Sequence, residues 1–310
     1  LKCNTTATAA QRQESASSRK QLKGCWKKWS NTILMQFYLG IDMGGSAVKL
    51  IAASVNNGTL DVLGRTSYPS GESAERLENE ARKLISELGL SEKDIVGAAL
   101  TGVGASDVAD NFLGAPVTRF SEFECFGRGG QYLSGHNKAL VVSMGTGTAF
   151  VRADGDTYIH LGGSGVGGGA LSGLSELITG VRRSSEINKM ISAGSAARVD
   201  LTIGDICKGD VGGLSPDVTA ANFGKKVMST DKNDIAAGLA NMVFQTAGVM
   251  AALACKNTDY EHVVFVGAMT EIPEGRDMLR AVGNLHGMTF DVPAGGTYAG
   301  ALGAVLRCCK

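Results

Sequence analysis

The chain has 310 residues, 30 Lys plus Arg balanced by 30 Asp plus Glu, and 44% hydrophobic residues. Zero net charge excludes a global field steering it toward nucleic acid or an anionic membrane, and the length allows one large domain or two medium ones. Gly supplies 43 residues, about twice the usual share. The glycines cluster without a period, which excludes collagen and points to several ligand-facing turns.

Seven cysteines, at 3, 25, 125, 207, 255, 308 and 309, form no compact framework. Reduced thiols and a cytoplasmic setting are expected. The four histidines, at 136, 160, 262 and 286, lack zinc-site spacing. No run of 18 apolar residues occurs, so no membrane span is expected.

Residues 1–34 are rich in Ser, Thr, Gln, Lys and Arg. They lack the apolar core of a secretory signal and read as a non-native or disordered extension, with the natural start at Met35. YLGIDMGGSAVKL, 38–50, then reads as strand, tight turn, strand. Gly44 and Gly45 can present backbone N–H groups closely, making a concavity for phosphate oxygens with Ser46. Asp42 at the strand end can hold Mg²⁺, through water, and Lys49 can add positive charge.

Further strands are expected over 51–55, 60–63 and 95–100. The 3.6-residue spacing of Leu77, Ala81, Leu84, Ile85 and Leu88 predicts a helix over 72–88. Strands and helix together suit an α/β lobe over 35–138. VTRFSEFECF, 117–126, alternates in the manner of a strand, which would direct Glu122 and Glu124 to one face. Glu122 is the candidate base for an attacking hydroxyl.

The apolar run 139–143 feeds MGTGTAFV, repeating the strand–glycine turn–strand pattern about a hundred residues later. Gly145, Thr146 and Gly147 thus form a second phosphate turn, and two turns imply two lobes facing one ligand. A second lobe is expected over 139–310. In GGSGVGGG, Gly163, Gly165 and Gly168 fit the dinucleotide fingerprint, but Glu176 follows too soon for the ribose carboxylate. A glycine loop, with Gly168 and Gly169, opening a phosphate-favouring helix at Ala170 is expected instead. Residues 217–229 read as helical or helix-capping, and 231–255 as a long helix with small residues suited to close packing. A third strand-end turn holds Gly267. The closing turn, with Gly296, leads into a Gly/Ala-rich helix whose bare surface admits a flat ligand such as adenine. His262 reads as structural, and Cys125 has no histidine placed by a motif to activate it.

Seven segments carry a family resemblance: GIDMGGSAVK (40–49), SEFE (121–124), SMGTGTAF (143–150), GGSGVGGGALSGLSELITG (162–180), DVTAANFGK (217–225), VVFVGA (263–268) and GGTYAGALGAV (295–305). The chain resembles type II pantothenate kinases of the actin-like ATPase superfamily. The resemblance implies an α/β, two-lobed, ribonuclease H-like fold with ATP in the inter-lobe cleft. It implies Mg²⁺-dependent transfer to the primary hydroxyl of pantothenate in coenzyme A biosynthesis, and a homodimer. Glu122 takes the place of the catalytic glutamate. Asp42, Gly44, Gly45, Ser46, Gly145, Thr146 and Gly147 take the ATP phosphate roles, and Gly168, Gly169, Gly267 and Gly296 lie by the adenosine. Two positions depart from the pattern. His160 stands where an arginine touches pantothenate, and Ala149 replaces a hydroxyl residue beside Thr146. Arginine offers a rigid fork to a carboxylate, whereas histidine offers one or two donors. The alternatives are an actin-like kinase with another small hydroxylated acceptor and an ATP-binding regulatory protein without turnover. The cysteine pair of the superfamily's dehydratase activators is not evident.

Overall fold

The computed structural model describes residues 36–309 apart from 57–58, 72 and 209–213. The expected extension over 1–34 lies outside them. The first sheet begins with β1 (Phe37–Met43), β2 (Ala47–Asn56) and β3 (Thr59–Pro69), an antiparallel meander. The strands expected at 51–55 and 60–63 are parts of the long β2 and β3. After α1 (Ala74–Glu87), β4 (Ile95–Thr101) joins β1 in parallel. The short β5 (Asn111–Phe112) follows, and β6 (Ala115–Arg119) then joins β4 in parallel. The strand order is β3-β2-β1-β4-β6-β5.

Next comes α2 (Glu122–Ser134), which corrects the strand expected for SEFE. The alternation of Phe with Glu mimics period two, but a helix sets Glu122 and Glu124 about 200° apart. Three glycines within α2 allow close packing. A Cβ on Gly129 would lie 2.0 Å from the Ala299 carbonyl oxygen, and one on Gly130 2.6 Å from a Val141 methyl.

The second sheet repeats the first. β7 (Lys138–Met144), β8 (Thr148–Asp154) and β9 (Thr157–Ser164) form the meander. The helices α3 (Gly168–Thr179) and α4 (Ser184–Ala193) follow. Next come β10 (Leu201–Thr202), the single-turn α5 (Ile203–Ile206) and β11 (Thr219–Ala221), which pairs with β10. This corrects the helix expected over 217–229. Phe223 turns the chain at φ 53°, and its N–H donates to the buried Asp200 carboxylate at 2.8 Å. After α6 (Lys232–Cys255), β12 (His262–Val266) joins β7 in parallel. Past α7 (Pro273–Leu285), β13 (Thr289–Asp291) joins β12, and α8 (Ala299–Cys308) closes the chain. The order β13-β12-β7-β8-β9 matches β6-β4-β1-β2-β3, strand for strand and direction for direction.

Side-chain alternation buries both faces of each sheet. Leu39 and Ile41 pack with Leu77 and Ile85 of α1, whereas Ile51, Ala53 and Ala99 pack under α8. On the second sheet, Val141 and Val151 meet Phe126 of α2, and Leu140 and Val142 meet Leu239, Val243 and Phe244 of α6. The last helix therefore returns to the first sheet and crosses α2 between the two layers. An 18-residue window of α6 has mean hydropathy 1.4, apolar enough for a membrane span, but 67% of it is buried against these core residues.

Candidate active site

The two hairpin turns, β1–β2 and β7–β8, open onto one cleft of about 1080 Å³. It is lined by Asp42, Gly44, Gly45, Ser46 and Lys49 from the first lobe and by Gly145, Thr146, Gly147 and Ala149 from the second. Glu122, Gly168, Gly267 and Gly296 line it too. The turns touch: Ser46 Oγ and Thr146 Oγ1 are hydrogen-bonded at 2.6 Å. Gly102 after β4 and Gly267 after β12 play matching parts. Both have positive φ, and a Cβ there would meet the carbonyl oxygens of Met43 and Met144 at 2.6 and 2.5 Å. Only glycine lets the neighbouring strand end pass so close to each turn.

Asp42 is 8% exposed. Its Oδ2 accepts from Lys49 Nζ at 3.2 Å, while its buried Oδ1 has no hydrogen-bond partner. Gly300 of α8 abuts this carboxylate; a Cβ there would lie 2.7 Å from Oδ2. Burial raises the Asp42 carboxyl above its ordinary value, and Lys49 only partly opposes that. Glu122, half-buried at the start of α2, is raised by burial first and by the Asp42 charge second, with Lys49 again opposing. The cleft thus holds two carboxyl groups that ionise less readily than usual, each a stronger base than a free carboxylate. Glu124 points elsewhere and pairs with Arg307 at 3.2 Å. The Cys125 thiol is buried and pushed up to about 12, inert as a nucleophile.

Two expected site residues lie outside the lining. His160, on β9, is exposed and stacks on Phe123 with ring centroids 3.7 Å apart. It sits beside the residue following Glu122 rather than in the cleft. Gly169 supports the second turn from behind: its N–H donates to the Thr146 carbonyl at 2.8 Å, and the Gly168 N–H donates to the Gly145 carbonyl at 2.9 Å. These first two N–H groups of α3, which begins at Gly168 rather than Ala170, are thereby spent on the turn. A Cβ on Gly167, Gly168 or Gly169 would crowd that turn at 2.8 to 3.0 Å, which explains the glycine triplet by packing.

The cleft also takes in residues with no motif. Leu171, Ile187, Met269 and Ile272 make an apolar end, with Arg182, Ser184 and Asn188 at its edge. Ile187 and Asn188 lie mid-helix in α4, where ordinary amphipathic spacing hides any ligand role. This end suits a flat heterocycle, the phosphate turns suit its polyphosphate, and the carboxylates suit the reacting end.

The chain is similar to known proteins in both sequence and fold. The Fumble family model matches residues 138–276. A type II pantothenate kinase from Staphylococcus epidermidis is 28% identical over 284 residues, spanning 86% of this chain and 98% of its own. Among solved structures, the activator of the 2-hydroxyisocaproyl-CoA dehydratase from Clostridium difficile with bound ADPNP has a TM-score of 0.61 at 19% identity, covering 88% of this chain and 94% of its own. A ROK family glucokinase from Streptomyces griseus in complex with glucose and AMPPNP has a TM-score of 0.54 at 13% identity, covering 86% and 97%. The fold is the two-lobed actin-like ATPase fold.

Proposed function

We infer that this chain, a homologue of the type II pantothenate kinases, is an ATP-dependent kinase that phosphorylates the primary hydroxyl of pantothenate to give 4'-phosphopantothenate, the reaction that leads toward coenzyme A. The observation that carries this reading is the single cleft in which Glu122 faces Asp42, Lys49 and two bridged glycine turns. Phosphoryl transfer asks a protein mainly for positioning and charge stabilisation. Gly44, Gly45, Ser46, Gly145, Thr146 and Gly147 would hold the β- and γ-phosphates. Lys49 would neutralise developing charge.

The unpartnered, buried Oδ1 of Asp42 fits a role in holding Mg²⁺, directly or through water. When bound, that ion neutralises phosphate charge. Glu122 would accept the hydroxyl proton as the acceptor oxygen bonds to the γ-phosphorus. The bond from that phosphorus to the bridging oxygen breaks, and its electron pair leaves with ADP. Burial makes Glu122 a better base than a free carboxylate. Assembly as a homodimer belongs to the same reading and is measured directly by sedimentation.

The test is an ADP-release assay with pantothenate, alongside Glu122→Gln. The substitution is expected to reduce kcat by about 10²- to 10⁴-fold while ATP affinity is retained. Full activity in the variant would remove Glu122 from the role. A second reading concerns the acceptor. Among described residues, the two cations lining the cleft are engaged: Lys49 with Asp42, and Arg182 with Glu176. His160 stacks on Phe123 outside the lining. These contacts favour a neutral hydroxylated acceptor, such as an amide or alcohol of pantothenate, over the free acid. A kcat/KM for pantothenate above that for its alcohol analogue would reject this second reading and leave the first intact.

A further inference from the structure

Far from the cleft, three side chains distant in sequence converge. His136 follows Gly135, the left-handed residue that ends α2. His262 opens β12, and Asp291 ends β13 one strand over. One ligand-type atom from each lies within 4.8 Å of the others, and all three side chains are half-buried. His136 Nε2 and Asp291 Oδ2 are 2.9 Å apart. The imidazoles of His136 and His262 are stacked, with centroids 3.7 Å apart and planes 11° from parallel.

A hydrogen bond and a stacked neighbour account for His136 and Asp291. They leave the Nδ1 of His262 buried with no hydrogen-bond partner. A buried polar atom in that state costs about 1–3 kcal/mol, and a cation is one group that would satisfy it. We propose that His136, His262 and Asp291 form a divalent transition-metal site, zinc by preference, with water as fourth ligand.

The donor chemistry supports this choice. Two imidazoles and one carboxylate are borderline ligands suited to Zn²⁺ rather than to Mg²⁺ or Ca²⁺, which take oxygen. Donors about 2.0–2.1 Å from a tetrahedral ion stand about 3.3 Å apart. The His136–Asp291 pair already has nearly that spacing. The third ligand needs a ring rotation of His262 and a shift of up to about 1.5 Å, the difference between the 4.8 Å bound and that zinc-site spacing. His136 is 126 positions from His262 and lies on another element, so no spacing motif records the site.

The placement also indicates what the ion would do. α2 carries Glu122 at its first residue and His136 just past its last. β12 starts at His262 and ends next to Gly267 of the cleft. The ion would clamp the trailing end of α2 to the start of β12 and the end of β13, about 20 Å along the helix from Glu122. That makes it a structural clip and not part of the phosphoryl-transfer chemistry.

The test uses the full chain, stripped with a chelator and dialysed against ZnCl₂ or CoCl₂, with bound metal measured by elemental analysis. One equivalent of zinc is expected, with a higher melting temperature. The Co²⁺ form should show intense four-coordinate visible bands without a thiolate charge-transfer band. His136→Gln, His262→Gln and Asp291→Asn should each weaken zinc binding by more than about 100-fold, exceeding the loss typical of an outer-shell partner, with nucleotide affinity unchanged as the check on folding. The proposal is overturned by failure to retain zinc, by an octahedral or thiolate Co²⁺ spectrum in the wild type, or by an undiminished equivalent in His262→Gln. The spectrum needs no variant, so a misfolded substitution does not protect the idea.

Discussion

Gly303→Ala tests whether the α2–α8 crossing sets the position of Glu122. A Cβ at Gly303 would sit 1.7 Å from the Cys125 carbonyl oxygen, 2.5 Å from its carbon and 2.9 Å from its Cα. Ordinary contact begins at 3.4 Å, so the helices must part by about 1.7 Å along that line. The obstacle is backbone, with no rotamer to yield. Overpacking of this kind costs up to about 3 kcal/mol, while replacing a helical glycine by alanine returns about 1 kcal/mol. The clash wins by about 2 kcal/mol, a fall in Tm of about 3 °C for a chain of this size. Cys125 lies three residues after Glu122, so α2 should carry the base with it. A displacement of about 1 Å at a reacting group can lower kcat about 100-fold. Calorimetry gives the first number, and ADP release at a temperature where the variant is fully folded gives the second. Gly173→Ala, on the open face of α3, is the control and should be slightly stabilising. A Gly303→Ala protein with unchanged Tm and unchanged kcat would refute the argument.

Lys49 opposes the upward shifts of both Asp42 and Glu122. A base must be deprotonated to work, so activity rises with pH through the raised Glu122 value. Lys49→Met should move that acid limb to higher pH in the residual activity; an unmoved limb would separate Lys49 from Glu122. Ser46→Ala breaks the 2.6 Å bond to Thr146 and leaves the carboxylates alone. A net loss of about 0.5–1.5 kcal/mol should appear as a KM for ATP raised by up to about tenfold, with kcat little changed. Gly267→Ala combines φ 96° with a Cβ 2.5 Å from the Met144 carbonyl. It should lower both Tm and ATP affinity, and normal nucleotide binding by equilibrium titration would contradict the tight strand end.

Legibility in the sequence followed the range of the interactions. The two glycine turns were readable because strand, turn and strand are consecutive, and β1–β2 and β7–β8 pair within themselves. The SEFE segment misled because period two was judged locally, whereas its helix is dictated by distant partners: Ala299, Val141 and Tyr158 press on Gly129, Gly130 and Gly127. TAANFG misled similarly. Asp200, about twenty residues upstream, accepts from Phe223 N–H and from the Asn222 and Asn241 amides, and this network holds the segment as strand and turn against its helical composition. Ile187 and Asn188 of the cleft could not be singled out, since one face of any amphipathic helix shows the same pattern. Gly167, Gly168 and Gly169 were visible as special, but only the close approach to Thr146 and Gly147 assigns them to packing.

The duplicated frame explains why the chemistry is one-sided. Asp42-Met43-Gly44 of the first turn corresponds to Ser143-Met144-Gly145 of the second, and Gly102 corresponds to Gly267. A carboxylate in both copies would bring two buried anions against one polyphosphate, and each would repel the other as well as the ligand. With serine in the second copy, the first lobe alone supplies Asp42 and Lys49. The second lobe contributes uncharged turn atoms and the apolar end with Leu171, Ile187 and Ile272. The Asp42–Lys49 pair and the apolar end are thereby kept on opposite lobes. The α2–α8 crossing joins the two halves at the reacting end. There α8 brings Gly300 against Asp42 on the first sheet, while α2 rides on the second sheet and delivers Glu122 to the same point. Relative motion of the two sheets would change the Asp42–Glu122 separation together with the Ser46–Thr146 bond, and because the Asp42 charge helps raise Glu122, parting the two would move the Glu122 acid limb to lower pH.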